Sequence, residues 1–140
     1  MQSRIELSDQ NGERVGYIEG MICASEVDVD KALGFGKLAG GFAPYAAQIP
    51  VEDPWPVAVL LDLEVYSDFR RRGFGRAALR DFLLRANGEG AKIALLRVGW
   101  YGEDWEAERA WRISWYSREG FHELKNPSPK ILIPFMYQIL

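Results

Sequence analysis

The order of apolar and polar positions predicts strands at the start and in the centre of the chain. Arg4–Leu7 and Arg14–Cys23 are predicted strands, and Asn11-Gly12 between them is typical of a hairpin turn because both residues tolerate positive φ. The run Val57–Val65 is nearly continuously apolar before it alternates. This pattern indicates a central strand that is covered on both faces.

Two helices are predicted in the second half of the chain. The first covers Gly75–Ala86 and is ended by Asn87-Gly88, and the second is capped by Asp104, runs to about Glu119 and stops at Gly120. The periodicity places these residues on the buried faces: Leu79, Phe82, Leu83 and Ala86 in the first helix, and Ala107, Ala110, Trp111, Ser114 and Trp115 in the second.

The remaining segments complete an α/β pattern. Residues 24–56 are rich in glycine and proline and are predicted as loop with a short helix at Val29–Leu33. Further β-rich runs are Lys92–Trp100, Phe121–Leu124 and Ile131–Ile139, the last broken by Pro134. The order of elements predicts one domain over residues 1–140, in which Ile131–Ile139 serves as an edge strand that can pair in a homodimer.

Composition narrows the class of protein. A chain of 140 residues with 48% hydrophobic and 26% charged residues is expected to form a globular core rather than to stay disordered. The net charge of −3 excludes a chain that binds polyanions over its whole surface. Cys23 is the one cysteine and lies in an apolar run, so it is expected to be a buried thiol. No signal sequence or spanning apolar run is visible, and a soluble cytoplasmic protein without membrane contact is expected.

The segment from Arg70 to Arg76 combines three arginines in a row with two glycines, directly before a predicted helix. Glycine lets the backbone approach a ligand, the helix start offers free N–H groups, and arginine pairs with phosphate oxygens. A pyrophosphate suits such a segment. A plain turn with a solvated arginine run is the alternative, and so is a dinucleotide fingerprint, although Gly73 follows Val65 by eight positions, too far for that fingerprint. Together with Arg80 the segment also forms a basic patch, but the sequence pI of about 5.2 argues against nucleic acid as a partner.

Two blocks of sequence resemble the GNAT superfamily of N-acetyltransferases. The first is Arg70-Arg71-Arg72-Gly73-Phe74-Gly75, which is similar to the family's acyl-CoA-binding motif, with Phe69 before it. The second is Trp115-Tyr116-Ser117-Arg118-Glu119-Gly120-Phe121, which resembles the end of the family's fourth helix. The two blocks stand in the family's order, with one predicted strand between them.

The resemblance implies a central mixed, mostly antiparallel sheet flanked by helices, and transfer of an acyl group from acetyl-CoA to a primary amine in a ternary complex. It implies that the backbone of Leu63 and Val65 holds the pantetheine arm. Tyr116 corresponds to the family's general acid at the sulfur. The acceptor is expected to be a small-molecule or peptide amine. By the same resemblance, the cosubstrate pyrophosphate is held at Arg70, Arg71, Arg72, Gly73, Phe74, Gly75 and Arg76.

Three departures from the family pattern affect the acceptor side. Arg109 stands where the family often has asparagine, and the N-terminal part is abbreviated or rearranged into residues 24–56. The family's strand glutamate falls at Val59, so Asp62 or Glu64 is the candidate base, expected by period 2 on the opposite strand face from Val59. A non-catalytic GNAT-fold protein that binds coenzyme A is therefore the alternative function.

Other chemistry is weakly indicated. His122 is the one histidine and is expected to be exposed just past the helix end. No cluster with metal-ligand spacing is visible, and no metal is expected. Trp111 and Trp115 are expected to pack in the core because of their helical spacing. An acceptor pocket is the hypothesis for another aromatic group: Trp100, Tyr101 and Trp105.

Overall fold

The computed structural model describes residues 2–35, 38, 40–99 and 105–140. Six strands and four helices follow one another in the described residues: β1 Gln2–Ser8, β2 Arg14–Cys23, α1 Glu26–Leu33, α2 Ala43–Ala46, β3 Val57–Val65, α3 Phe74–Gly88, β4 Ile93–Arg97, α4 Trp105–Arg118, β5 His122–Leu124 and β6 Phe135–Ile139. A short 3-10 turn, Ser67–Phe69, lies between β3 and α3. No helix of the described part is long and apolar enough to cross a membrane.

The strands form one sheet in the order β1-β2-β3-β4-β6-β5. Only β3 and β4 run parallel, and the other four pairings are antiparallel. The parallel pair is joined through α3, as a parallel connection requires a crossover. The predicted fold class is confirmed: a mixed, mostly antiparallel sheet flanked by helices.

The two faces of the sheet carry different helices. The face that α1 and α2 cover is called the front face, and the face that α3 and α4 cover is called the back face. On the front face Val29 and Leu33 of α1 pack with Val57 and Val59 of β3. Residues 24–56, predicted mainly as loop, thus supply two helices and much of the front core. Its aromatic centre consists of Phe35, Phe42, Tyr45 and Phe135.

The back face buries the inner stripe of α3. Ala78 and Leu79 pack on Ile18 of β2 and Leu60 of β3. The predicted helix face is confirmed, but Asn87 and Gly88 do not end the helix, because both still belong to α3 and Glu89 caps it.

The predicted buried face of α4 is wrong except at Trp115, which is half-buried and packs against the back core. Trp111 is 60% exposed, and Ala107, Ala110 and Ser114 are also exposed. The inward side is instead made by a stripe that contains two arginines: Arg109, Arg112, Ile113 and Tyr116, with Trp115 beside it. Arginine stems are long enough to cover apolar surface, and for this reason a pattern based on apolar residues alone misplaced the face.

The C-terminal strand is also shorter and more central than expected. β6 begins at Phe135, after Pro134, whose carbonyl accepts a hydrogen bond from the Val98 N–H at 2.9 Å. The strand lies between β4 and β5, so it is not an edge of the sheet. The prediction that Ile131–Ile139 offers an edge for a homodimer is therefore wrong; in the described chain the two edges are β1 and β5.

Two smaller expectations concern the N-terminal half. Only Gly12 of the Asn11-Gly12 pair lies in the left-handed region, with φ of 80°, because Asp9 accepts the Asn11 and Glu13 N–H groups at 2.9 Å and closes a longer turn. Cys23 is fully buried, as predicted. Its burial raises the pKa of the thiol to about 11.

A substitution at Gly16 tests how closely β2 and β3 approach each other. It pairs with Val65, and a Cβ built there would collide with the backbone carbonyl oxygen of Glu64. We expect Gly16→Ala to lower the free energy of unfolding by about 2 kcal/mol or more, since backbone must move. In urea denaturation, the control Gly88→Ala should leave stability unchanged or raise it by about 0.5 kcal/mol, because nothing lies near its added Cβ. Equal effects of the two substitutions would contradict the packing described.

Candidate functional site

The pairing of β3 and β4 stops in the middle of β3. Their four paired positions run from Val57–Ile93 to Leu60–Leu96. Beyond them β4 ends at Arg97, whereas β3 continues to Val65 beside β2 alone. A cavity of about 130 Å³ lies at this opening. It is called the cleft, and its lining includes Leu33, Asp62, Leu63, Arg97, Arg112 and Tyr116.

A β-bulge sets which side chains of β3 reach the cleft. Gly20 pairs with Leu60 and Glu19 pairs with Asp62, so Leu61 has no partner on β2. An extra residue reverses the alternation of side chains beyond it. Paired residues of neighbouring strands share a face, and Met21 pairs with Val59. Glu19 lies two residues from Met21 on β2 and therefore on the same face. Since Glu19 pairs with Asp62, Asp62 lies on the front face together with Val59.

The expectation that Asp62 and Glu64 lie opposite to Val59 is wrong for this reason. Tyr17 pairs with Glu64 and is two residues from Glu19, so Glu64 shares the front face as well. Both carboxylates thus lie on the strand face where the family's glutamate is expected.

Asp62 is held by a tyrosine of β2. The Tyr17 hydroxyl donates a hydrogen bond of 2.6 Å to Asp62 Oδ2, and the Arg4 guanidinium lies 3.6 Å from the centre of the Tyr17 ring. The hydrogen bond to Asp62 is the main cause that raises the pKa of Tyr17 to about 12. The carboxylate keeps Oδ1 for another partner, because Tyr17 uses only Oδ2.

Glu64 has a different environment. Its Oε1 accepts a hydrogen bond from Arg70 Nη2 at 3.3 Å, and Arg70 Nε donates to the Val65 carbonyl at 2.9 Å. The Arg70 side chain therefore fixes the end of β3 to the loop that follows. Of the two predicted carboxylates, only Asp62 lines the cleft.

Tyr116 reaches the cleft from α4 on the other side of the sheet. Its ring packs against Trp115 and Phe121, with centroids 5.1 and 5.7 Å away. Burial is the main cause that raises the pKa of Tyr116 to about 12, while the charge of Arg112 acts in the opposite direction. Among the described residues no group hydrogen-bonds the Tyr116 hydroxyl. The cleft thus brings together a carboxylate from the front face and a phenol from the back face.

The loop after β3 exposes a row of backbone N–H groups. Arg71 and Gly73 lie in the left-handed region, with φ of 64° and 85°, and α3 starts at Phe74 with no side-chain cap. The Arg70 N–H donates to the Ser67 carbonyl at 3.5 Å, and the next N–H with a hydrogen bond in the described structure is that of Ala77, to the Gly73 carbonyl at 3.0 Å. The N–H groups of residues 71–76 remain free for an anion at the positive end of the helix dipole. This segment is called the cradle.

The arginine side chains around the cradle divide into two groups. Arg76 and Arg80 lie 3.4 and 3.5 Å from Glu119, whose side chain is only 9% exposed, so they join α3 to the end of α4. Arg71 and Arg72 are exposed. Within the described residues neither of them has a carboxylate partner. Arg71 and Arg72 are therefore available to phosphate, whereas Arg70, Arg76 and Arg80 already have carboxylate partners.

Comparisons with known proteins address the fold. No protein-family model matches the sequence, and no curated protein matches it. Solved structures do match. A GNAT-family acetyltransferase from Staphylococcus aureus superposes with a TM-score of 0.61 at 14% identity, over 99% of this chain and 68% of the other. An acetyltransferase from Bacillus cereus gives 0.56 at 16% identity, over 100% and 74%.

A third solved structure contains a ligand. The PaiA N-acetyltransferase of Thermoplasma acidophilum, in complex with coenzyme A, superposes with a TM-score of 0.58 at 12% identity, over 99% of this chain and 61% of the other. Agreement over nearly the whole of this chain decides the architecture.

The chain has the GNAT fold.

Several of the residues predicted from the sequence lie close together in the structure. The predicted residues Leu63, Asp62 and Tyr116 line the cleft, and the predicted cofactor segment forms the cradle. Gly75 lies close to the end of β3 and to α4, since a Cβ there would meet Val65 at 3.5 Å and Trp115 at 3.7 Å.

Three residues near the cleft were missed: Tyr17, Arg97 and Arg112. Arg112 precedes Tyr116 by one helical turn, a spacing that was available in the sequence. The positions of Tyr17 and Arg97 near the cleft depend on the strand register, which the sequence alone does not show. His122 is exposed, as expected. The described residues contain no group of His, Cys, Asp or Glu that fits a metal ion. Trp100, Tyr101 and the Asp104 cap lie outside the described residues, as does the side chain of Trp105.

The bond between Tyr17 and Asp62 predicts how stability depends on alkaline pH. The folded-state pKa of Tyr17 is raised to about 12, whereas an unfolded tyrosine titrates near about 10. The unfolded chain therefore loses its proton first, and this contribution to stability is complete below about pH 10 and disappears as the pH rises to about 12.

Urea denaturation between about pH 10 and pH 12 checks this expectation. Stability should fall with pH less steeply in Tyr17→Phe than in the wild type. Asp62→Asn should reduce the slope as well, because it weakens the hydrogen bond and removes the charge that together raise the pKa of Tyr17. An unchanged slope in both variants would show that the hydrogen bond is not the cause.

Proposed function

We propose that this chain, as one domain over residues 1–140, transfers the acetyl group of acetyl-CoA to the nitrogen of a primary amine. The observation that supports the proposal is the juxtaposition of cradle and cleft at the carboxyl end of β3. The cradle suits a pyrophosphate, and the cleft holds the two kinds of proton-transfer group that the reaction needs. The shared fold with acetyltransferases, one of them bound to coenzyme A, agrees with this reading.

The residues present fit coenzyme A. Free N–H groups at residues 71–76, with Arg71 and Arg72 beside them, match the charge and oxygen atoms of a pyrophosphate. Leu63 and Val65 lie on the part of β3 where pairing with β4 has stopped, and their backbone is proposed to hold the pantetheine arm. When bound, acetyl-CoA supplies the acetyl group in an activated form, as a thioester.

Asp62 is the proposed base. The acceptor amine is an ammonium ion at neutral pH and must lose a proton before it attacks the carbonyl carbon. Asp62 lines the cleft and is oriented by Tyr17, whereas Glu64 is paired with Arg70. Asp62 takes the proton either directly or through a water, and Glu64 adds negative charge that attracts the ammonium. The new C–N bond then forms and the C–S bond breaks. The second proton of the nitrogen passes to the departing sulfur, directly or through water, so that an amide and coenzyme A, as the free thiol, leave.

Tyr116 is the proposed hydrogen-bond donor to the departing sulfur. In the free protein its pKa of about 12 lies well above the value of about 8.5 for an ordinary thiol. Complete proton transfer to a solvated thiolate would therefore be uphill. A thiolate that forms in the same buried place is also a stronger base than in water, which reduces the mismatch.

The alternative is a GNAT-fold protein that binds coenzyme A without turnover. The raised pKa of Tyr116 favours it, since a weak acid assists the leaving group less. Binding and turnover therefore need separate tests.

Gly73→Glu tests the cradle. A negative side chain at the helix start should abolish the binding of acetyl-CoA in a calorimetric titration in which the wild type binds at micromolar concentration. Gly88→Glu, the same change at the far end of α3, is the matched control and should bind like the wild type, because it is exposed and has free space around it. Thermal denaturation of both variants checks that they fold. No binding to the folded wild type would overturn the proposal.

Tyr116→Phe tests turnover. The rate of thiol release with a panel of amines should fall about 10²-fold, the usual contribution of a general acid, while acetyl-CoA binding persists. Tyr137→Phe on β6 is the control and should keep the wild-type rate. An unchanged rate in Tyr116→Phe would remove this residue from the mechanism. Acetyl-CoA binding without turnover of any amine would instead support the alternative function.

A further inference from the structure

The cleft is lined by charged groups of both signs. Asp62 contributes a carboxylate, and Arg97 and Arg112 contribute two guanidinium groups. We infer that the cleft binds a small α-amino acid as the acceptor, with its ammonium group at Asp62 and its carboxylate between Arg97 and Arg112. This inference rests on the proposed function, because it names the acceptor class of the same reaction.

Arg97 lines the cleft from the front face. It is the last residue of β4 and pairs with Phe135, which packs in the front core. Its Nη1 donates a hydrogen bond of 3.3 Å to the Leu33 carbonyl at the end of α1. This bond uses one of five N–H donors and fixes the side chain. The remaining donors are available to a carboxylate.

Arg112 lines the cleft from the back face. Its Nη2 donates to Glu108 at 2.8 Å, one turn earlier on α4. Its Nε is buried and has no hydrogen-bond partner among the described residues. A buried N–H without a partner is costly, and each such group calls for an explanation. A ligand oxygen supplies the missing acceptor, and arginine binds carboxylates best through two neighbouring N–H groups.

Asp62 provides the negative charge that pairs with the ammonium end of the ligand. An anion without a positive group would be attracted by the two arginines and repelled by Asp62. A simple amine would pair with Asp62 but leave the buried Arg112 Nε and the remaining donors of Arg97 without an acceptor. An α-amino acid carries both charges on neighbouring atoms, so it complements all three side chains. Its amine is then held beside the proposed base.

The volume limits the side chain of the acceptor. A cleft of about 130 Å³ equals about four water molecules at roughly 30 Å³ each. An acceptor of the size of glycine, alanine or serine suits this space. Larger side chains must extend out of the cleft.

The test compares three acceptors of similar size. Thiol release from acetyl-CoA is measured with L-alanine, with L-alaninamide, which lacks the carboxylate, and with ethylamine. We expect kcat/KM for L-alanine to exceed that for both others by about 10²-fold, since the buried Arg112 Nε has no acceptor when the carboxylate is missing. Arg97→Met and Arg112→Met should each remove most of this preference. Arg118→Met, an exposed arginine of α4, is the matched control and should keep it.

Binding provides a second readout that does not depend on turnover. L-alanine is titrated into the protein saturated with coenzyme A, and its heat of binding should be lost in Arg97→Met and in Arg112→Met. Arg112→Lys should retain part of the binding, because it keeps the charge but not the fork of donors. Titration with acetyl-CoA checks that each variant folds and still binds the cosubstrate.

The outcomes separate this inference from the proposed function. Equal rates with L-alanine, L-alaninamide and ethylamine overturn the inference and leave the acetyltransferase standing. Binding of L-alanine without any thiol release supports the amino-acid site and overturns the acetyltransferase. If succinyl-CoA replaces acetyl-CoA with a large gain in rate, and the gain is lost in Arg112→Met, the carboxylate belongs to the acyl group and the inference is wrong.

Discussion

The end of the hydrogen bonding between β3 and β4 is the constraint on which the site depends. Two parallel strands that stay paired leave no space between them. Here the last paired position is Leu60–Leu96, and the next residue of β3, Leu61, is the bulge. The separation of β3 from β4 and the β-bulge of β3 thus occur at adjacent residues of β3. One opens the sheet, and the other turns a carboxylate toward the opening. Everything assigned to the cleft follows from these two backbone events.

The backbone of the loop after β3 serves the same site. The cradle depends on the left-handed conformations of Arg71 and Gly73. This conformation is unfavourable at Arg71, because a residue with a Cβ is crowded there. Strain of this kind persists where the surroundings enforce it and often marks a ligand site. The residue directly before Arg71 is anchored, since the Arg70 guanidinium binds the end of β3. The side chains of Arg71 and Arg72 face solvent.

The sequence was sufficient for the fold class and for most of the elements, although α2 was predicted as loop. β3 was predicted to the residue because its apolar run continues directly into alternating apolar and acidic positions up to Val65. Its bulge was not visible, since Leu60-Leu61-Asp62-Leu63-Glu64 reads as ordinary alternation and a bulge is defined by the partner strand. The buried face of α4 was predicted wrongly because its inner stripe holds Arg109 and Arg112. Both errors concern the strand and the helix that line the cleft, where half-buried polar side chains interrupt the apolar pattern.

The ion pairs of Glu119 join α3 and α4 in the folded protein, before any ligand binds. This nearly buried carboxylate binds Arg76 and Arg80 near the start of α3, and it follows Tyr116 by three residues. The two helices that carry the cradle and the phenol are thus clasped by side chains as well as by the sheet. The entropy of arranging them is spent during folding, before any ligand arrives. The site is therefore preorganised, and the binding energy of a ligand is not used to arrange the two helices.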